Sequence, residues 1–440
     1  MFQTLRNAWK IVDLRKKILF TLLIVLVFRI GSAITVPFVD AAKVQLATQG
    51  STSEIMNFLT MMSGGGFSNA SIFALSIQPY INASIIIQLL TVAIPALERL
   101  SKEGTAGRKK LSQYTRYGTV ILGLLLGVAY YFMVRNNYRA IAPEAQSGFA
   151  AWFAGITIVL CFAAGSALLM WLGEQINEKG IGNGISILLF AGIISRLPNG
   201  LITLWNYLRG GIDLIQQGAV SRGLWYAVFP FLVVALFLAM IGFIVYITNA
   251  ERRIPVQYAK RVVGRKMYGG QSTFIPVKVN MTGVMPIILA VSIVQLPNII
   301  KQMFGLGDNW FFNLFAYDSW FYVLLYFLLI LGFAFFYVTI QYNPVEMANN
   351  LRKNSGAIPG YRPGKPTSDY IKRVMNKVTF IGALFLSVIA LFPTLFGMAT
   401  GEFSLTIGGT SIMIVVSVAL ETTQQMESQM MMRHYKGFLE

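Results

Sequence analysis

Ten stretches of the chain, at about 18–36, 71–95, 115–134, 152–172, 184–197, 224–248, 283–303, 320–342, 378–397 and 408–426, are nearly free of charge. A helix needs roughly 20 apolar residues to cross a hydrocarbon layer about 30 Å thick, and these stretches meet or approach that length. The pattern predicts an all-α polytopic membrane protein with ten spanning helices. The fifth stretch, only 14 residues, is too short to span comfortably.

Composition agrees: of 440 residues, 55% are hydrophobic and 12% charged. The first stretch follows Arg6, Lys10, Arg15, Lys16 and Lys17, outruns a signal-peptide core and lacks a small-x-small cleavage site, so it reads as a retained spanning helix. Cys161 is the single cysteine and lies in an apolar run; His434 is the single histidine and lies in the polar tail. A disulfide within the chain, a paired-histidine metal site and a Ser-His-Asp triad are excluded on that inventory. "GIGNG" (Gly180 to Gly184) lacks the Lys-Ser/Thr pair of a phosphate-binding loop. The sequence therefore offers no catalytic residue, metal ligand set or cofactor site, and we read it as a non-enzyme.

Charge supplies orientation. Most of the 36 Lys and Arg fall in alternate connectors, whereas Lys43, Arg135, Arg139, Arg196, Arg209, Arg222 and Lys301 occupy the others. The positive-inside rule then puts both termini in the cytoplasm. Two cytoplasmic loops, 251–280 and 343–377, hold much of the excess, with Arg252, Arg253, Lys260, Arg261, Arg265 and Lys266 in one and Arg362 in the other. Topology and attraction to anionic lipid account for charge alone. The turn-forming "IPGYRPGKP" around Arg362 also fits a shaped surface that docks an acidic protein or RNA phosphates.

The chain repeats itself. "PYINASIIIQL" (Pro79 to Leu89) and "PIILAVSIVQL" (Pro286 to Leu296) share Pro79/Pro286, Ile81/Ile288, Gln88/Gln295 and Leu89/Leu296 among other positions; "GISILL" (Gly184 to Leu189) pairs more weakly with "GTSIMI" (Gly409 to Ile414). Both pairs are five stretches apart, so two five-helix halves, 1–200 and 201–440, face opposite ways in the membrane. Pro79 and Pro286 predict kinks or the starts of half-helices. Ile81, Ile288, Leu189 and Ile414 would meet either as ordinary core or as an aliphatic constriction. Arg29, nearly alone at membrane depth, either snorkels or pairs with a carboxylate of a partner. The absence of paired mid-membrane charges argues against a secondary transporter of a small solute, the alternative class for inverted repeats.

The motifs "GSAITVPFVD", "MSGGGFSNASIFALSIQPYINASIIIQLLTV", "KEGTAGRKKLSQYTRYGT", "MWLGEQINEKGIGNGIS", "ERRIPVQYAKR", "QSTFIPVKVNMTGVMP", "YNPVEMANNLRKNSGAIPGYRPG" and "GGTSIMIVV" together resemble the SecY family, the pore subunits of the bacterial protein translocase. The resemblance runs from the first stretch to the last. It implies a channel in the bacterial plasma membrane that passes unfolded secretory polypeptides and releases hydrophobic segments sideways into lipid. Ile77, Ile81, Leu189, Ile288 and Ile414 match its pore ring, while the expected sixth member, near Ser292, is not aliphatic. Asn82, Gln88, Gln295, Leu296 and Asn298 fall along its lateral gate. The implied partners are SecE and SecG, the SecA ATPase and the ribosome, the last two docking on the basic loops.

The resemblance also makes "EIMNFLTMMSGGGF" (Glu54 to Phe67) part of a re-entrant plug helix, about 55–69. Asn57, Phe58, Met61 and Phe67 would fill the pore from outside, with Gly64, Gly65 and Gly66 as a flexible joint.

Overall fold

The computed structural model describes residues 2–50, 60–145, 148–216, 220–258, 261–263, 266–268, 272–304, 309–316, 319–400 and 409–436. Helix occupies each predicted stretch: α1 (Val12–Ala33), α2 (Gln78–Ala93), α3 (Thr105–Phe132), α4 (Gly148–Lys179), α5 (Gly184–Ile194), α6 (Val220–Thr248), α7 (Met285–Phe304), α8 (Trp320–Gln341), α9 (Lys365–Thr400) and α10 (Gly409–Lys436). Among the described residues, six helical runs are long and apolar enough to cross a membrane. A seventh is α2 taken with Pro95–Lys102, which turns away from it by 103°. The others fall short for local reasons. α1 carries Arg15, Lys16, Lys17 and Arg29, the apolar part of α7 ends at Asn298, and α10 is polar beyond Leu420.

The prolines start helices rather than kink them: Pro79 and Pro286 are each the second residue of α2 and α7. Proline costs no intrahelical bond there, and its fixed φ suits the first turn. Gly184 and Gly409 likewise open α5 and α10. Each repeat pair therefore begins its helices at matching residues, and Ile81 and Ile288, like Leu189 and Ile414, sit at matching positions along them.

The fifth helix differs from expectation. α5 is 11 residues long, capped by the Asn183 side chain accepting from the Ile185 amide. After a turn at Ser195 and Arg196 the chain resumes as helix Leu197–Gln216, which packs along α6. The polar pair at 195–196 interrupts the hydropathy, so the sequence pattern stops where the chain only bends.

Helix packing is close where glycine permits it. On α3, a Cβ at Gly123 would lie 3.1 Å from Ser166 Oγ, and one at Gly127 would lie 3.3 Å from the Val159 carbonyl, both on α4. In the second half, α6 to α10 share a core that includes Ile244, Ile287, Val294, Tyr322, Tyr326, Phe385 and Met413. The two halves meet at several places, among them where α3 touches α7, where α5 touches α10 and where the N-terminal helix Phe2–Lys10 touches α10.

The two basic loops, in a chain read as all-α, are joined by a small sheet. β1 (Glu251–Tyr258) runs antiparallel to β4 (Ser272–Lys278), with Ile254 opposite Ile275, and to β5 (Gly356–Ala357), with Gln257 opposite Ala357. Two short strands, β2 (Arg261–Val263) and β3 (Lys266–Tyr268), pair at the tip. Ile254, Val256 and Val277 bury against Val338, Leu351, Ile371 and Met375, anchoring the sheet to α8, α9 and the helix Pro344–Lys353.

Candidate channel waist, seam and docking surface

Ile77 precedes α2, Ile81 lies in its first turn, Leu189 is mid-α5 and Ile414 is in the second turn of α10. All four are buried in one hydrophobic cluster that also holds Phe28 and Phe73, and Ile288 of α7 packs against it half-buried. Helices from both halves thus bring together all five residues named for the ring. The cluster also contains Ile187, Ile193, Val418 and Met62. Ser292 turns back to its own helix, its hydroxyl donating to the Ile288 carbonyl at 2.8 Å.

Met62 belongs to the glycine segment, which is described from Thr60 onward; Asn57 and Phe58 lie outside the described residues. Residues 60–62 are helical and 63–70 form successive turns. Met61 is half-buried beside Met62. Gly64 and Gly65 have φ of +62° and +92°, a left-handed backbone that side-chain-bearing residues resist. At Gly66 φ is not the constraint, because a Cβ there would come within 2.6 Å of Ser71 Oγ. The segment is tied on several sides. Arg29 donates to the Gly64 carbonyl, Arg196 Nη2 to Ser68 Oγ at 3.1 Å, Ser76 Oγ to the Met62 carbonyl at 3.0 Å, and Tyr130 Oη to the Phe67 carbonyl at 2.6 Å. The Phe67 and Tyr130 rings meet edge to face, centroids 4.8 Å apart. Arg29 therefore meets no carboxylate among the described residues; it donates to a backbone carbonyl, which leaves its positive charge unbalanced. Sequence reading missed Tyr130 and Arg196 as contributors, because each looked like one more aromatic or one more outer cation.

Along the seam between halves, one hydrogen bond crosses from α2 to α8: Tyr337 Oη donates to Gln88 Oε1 at 2.6 Å. Tyr337 carried no sequence signal, standing in a run of aromatics. Asn82 is half-buried on α2, and Leu296 is exposed on α7. Gln295 is buried with an Oε1 that has no hydrogen-bond partner among the described residues. Asn298 stays within its own half, Nδ2 donating to the Phe315 carbonyl at 2.7 Å.

On the loops, β1 displays Arg252 and Arg253 outward. Arg253 lies 4.6 Å above the Phe274 ring and donates to Glu251 at 2.7 Å. Arg261 and Lys266 belong to β2 and β3, whereas Lys260 and Arg265 lie outside the described residues. Arg362 is exposed at a turn where Tyr361 stacks on Tyr370, centroids 4.2 Å apart, and the Arg362 carbonyl accepts from Thr367 Oγ1 at 2.7 Å. Because β5 pairs with β1, one sheet links the loop bearing Arg362 to the loop bearing Arg252.

The family model for SecY matches residues 71–423. The chain is 44% identical to the protein translocase subunit SecY of Streptomyces galbus over 455 residues, and 43% identical to that of Halalkalibacterium halodurans over 445, with 100% of both chains covered in each case. Three solved structures share the fold at 16–18% identity, each covering 94% of this chain and 92% of the other. They are a protein-conducting channel (TM-score 0.66), a SecY protein whose plug domain stabilises the closed state (0.64) and the Sec61 of a canine ribosome–channel complex (0.62).

Proposed function

Since the chain belongs to the SecY family, we propose that it is the pore subunit of a protein-conducting channel, passing unfolded secretory chains across a membrane and releasing hydrophobic segments sideways into lipid. The observation that carries this is the convergence of Ile77, Ile81, Leu189 and Ile414 in one cluster, with Ile288 against it. An unfolded chain cannot enter hydrocarbon, because each unsatisfied peptide group costs several kcal/mol there. A ring of aliphatic side chains carries no hydrogen-bonding demands, so it closes around any sequence while keeping ions out. A segment of roughly 20 apolar residues gains by leaving through the side instead.

In this reading residues 1–200 and 201–440 are the two halves, and α2 and α3 part from α7 and α8 along the seam that Gln88 and Tyr337 bridge. The segment from about 55 to 69 is the plug, and its Met62 contributes to the waist cluster that contains Ile77 and Ile81. Both termini are cytoplasmic by the charge asymmetry, and the membrane is a bacterial plasma membrane as the family resemblance implies. The basic sheet and the Arg362 turn then face the cytoplasm, where they suit a SecA-type motor or the phosphates of a ribosome, with SecE and SecG completing the complex. The reading assigns no catalytic step to this chain, so the driving force comes from a partner or from the membrane potential.

A photoprobe at Ile81 or Ile288 is expected to crosslink a stalled secretory chain in the presence of the motor. No crosslink at either position, together with solute uptake by the purified protein, would replace the channel with a carrier.

A further inference from the structure

A cavity of about 260 Å³ opens beside the glycine segment, and its walls are unusual for their charge. Arg29 of α1 and Arg196 of the α5 turn both line it, together with Gln45, Ser68, Asn69 and Asn199. No carboxylate is among its lining residues, and neither arginine has an ion-pair partner among the described residues. Two guanidinium groups facing one half-enclosed space repel each other unless an anion lies between them.

Their donors are only partly used. Arg29 Nη1 donates to the Gly64 carbonyl and Arg196 Nη2 to Ser68 Oγ at 3.1 Å. Arg196 Nε is shielded from solvent and has no hydrogen-bond partner among the described residues. The two glycines hold the space open: a Cβ at Gly64 would lie 3.3 Å from Arg29 Nη1, and one at Gly65 would lie 3.4 Å from Arg196 Nε. Planar guanidinium groups with spare donors match tetrahedral oxyanions, which offer several acceptors to each fork.

The geometry points to a binding site in this cavity for one phosphate-type oxyanion, held between Arg29 and Arg196. Bound there, the anion joins α1, the α5 turn and the Gly64–Ser68 backbone into one charge-balanced unit. Its consequence for gating, that the glycine segment is held closed until the anion leaves, rests on the pore reading above; binding itself does not.

The test is a titration of inorganic phosphate against the purified full chain in a phosphorus-free detergent, read as ³¹P line broadening. Saturable broadening is expected, weakened about tenfold or more in Arg196→Gln, the loss of a charge-assisted contact. Asn199→Asp tests the site at an exposed position whose side chain makes no hydrogen bond among the described residues, and its added negative charge is expected to weaken phosphate similarly. Phosphatidylglycerol that displaces the phosphate, where phosphatidylcholine does not, identifies a lipid headgroup as the source; phosphate unaffected by either lipid identifies the free ion. Absence of saturable broadening, or equal broadening in wild type and both variants, overturns the site. So does broadening that appears only in Glu54→Gln, which would mean that the chain's own carboxylate fills the cavity. Because the resting protein is measured, the result is independent of whether Ile81 and Ile288 crosslink a translocating chain.

Discussion

Gln88 and Gln295 occupy matching positions in the repeat, yet their surroundings give them opposite energetics. Gln88 Oε1 accepts from Tyr337, whereas Gln295 Oε1 is buried without a partner among the described residues. A buried unpaired polar atom costs about 1–3 kcal/mol, while a made hydrogen bond contributes about 0.5–1.5 kcal/mol. Gln295→Leu is therefore expected to leave the thermal midpoint of the resting protein in nanodiscs unchanged or raise it, and Gln88→Leu to lower it. A clear drop in Gln295→Leu would show that its carbonyl oxygen is satisfied after all. The repeat made both glutamines visible in the sequence, but not the asymmetry. What each one meets is set by the neighbouring half, and Tyr337 lies about 250 residues further along than Gln88. Arg29 was likewise legible as an anomaly and illegible as a contact, since a backbone carbonyl leaves no residue type to find.

Among the elements, long apolar runs were readable because burial in lipid demands them, and helix appears in every predicted stretch. What escaped obeys other rules. The helix Leu197–Gln216 follows a polar turn that breaks the hydropathy window. The sheet escaped because Pro255 and Pro276 stand within β1 and β4, where a strand is not the default reading. The structure tolerates them: β4 is an edge strand, and β5 pairs only with Gln257 and Tyr258, leaving β1 open beside Pro255. The buried Ile254 and Val256, alternating with exposed neighbours, were the period-two signal that the prolines masked. The seam between α2 and α8 gives the elements a testable function. In a Cys161→Ser background, the pair Gln88→Cys and Tyr337→Cys can be bridged by a reducible bis-maleimide, which spans the reach of the two long side chains that a direct disulfide would not, and transport of a secretory chain is expected to stop and to resume on reduction. Unimpaired transport by fully crosslinked protein would move the exit elsewhere.

For the whole molecule, the decisive property is the uneven placement of a net charge of +18. Solvated surface charge spread evenly would serve solubility alone, but here it gathers on two loops that the β1–β5 pairing joins into one body. The Arg362 turn is shaped as well as charged. Tyr361 stacks on Tyr370 and Thr367 holds the Arg362 carbonyl, so the guanidinium is presented from a fixed backbone. A rigid cation at a docking surface contributes to specific contact, whereas attraction to lipid would act on net charge and be indifferent to position. Arg362→Glu is thus expected to reduce motor-driven transport at least about tenfold, the cost of turning an attractive contact into a like-charge clash. Lys365→Glu, the same charge change three residues away, serves as the comparison and is expected to act weakly. Both variants are checked for equal amounts of protein in the membrane. Equal losses in the two would mean that summed charge, and not the shape of the turn, governs docking; normal rates in Arg362→Glu would remove the docking role of this turn.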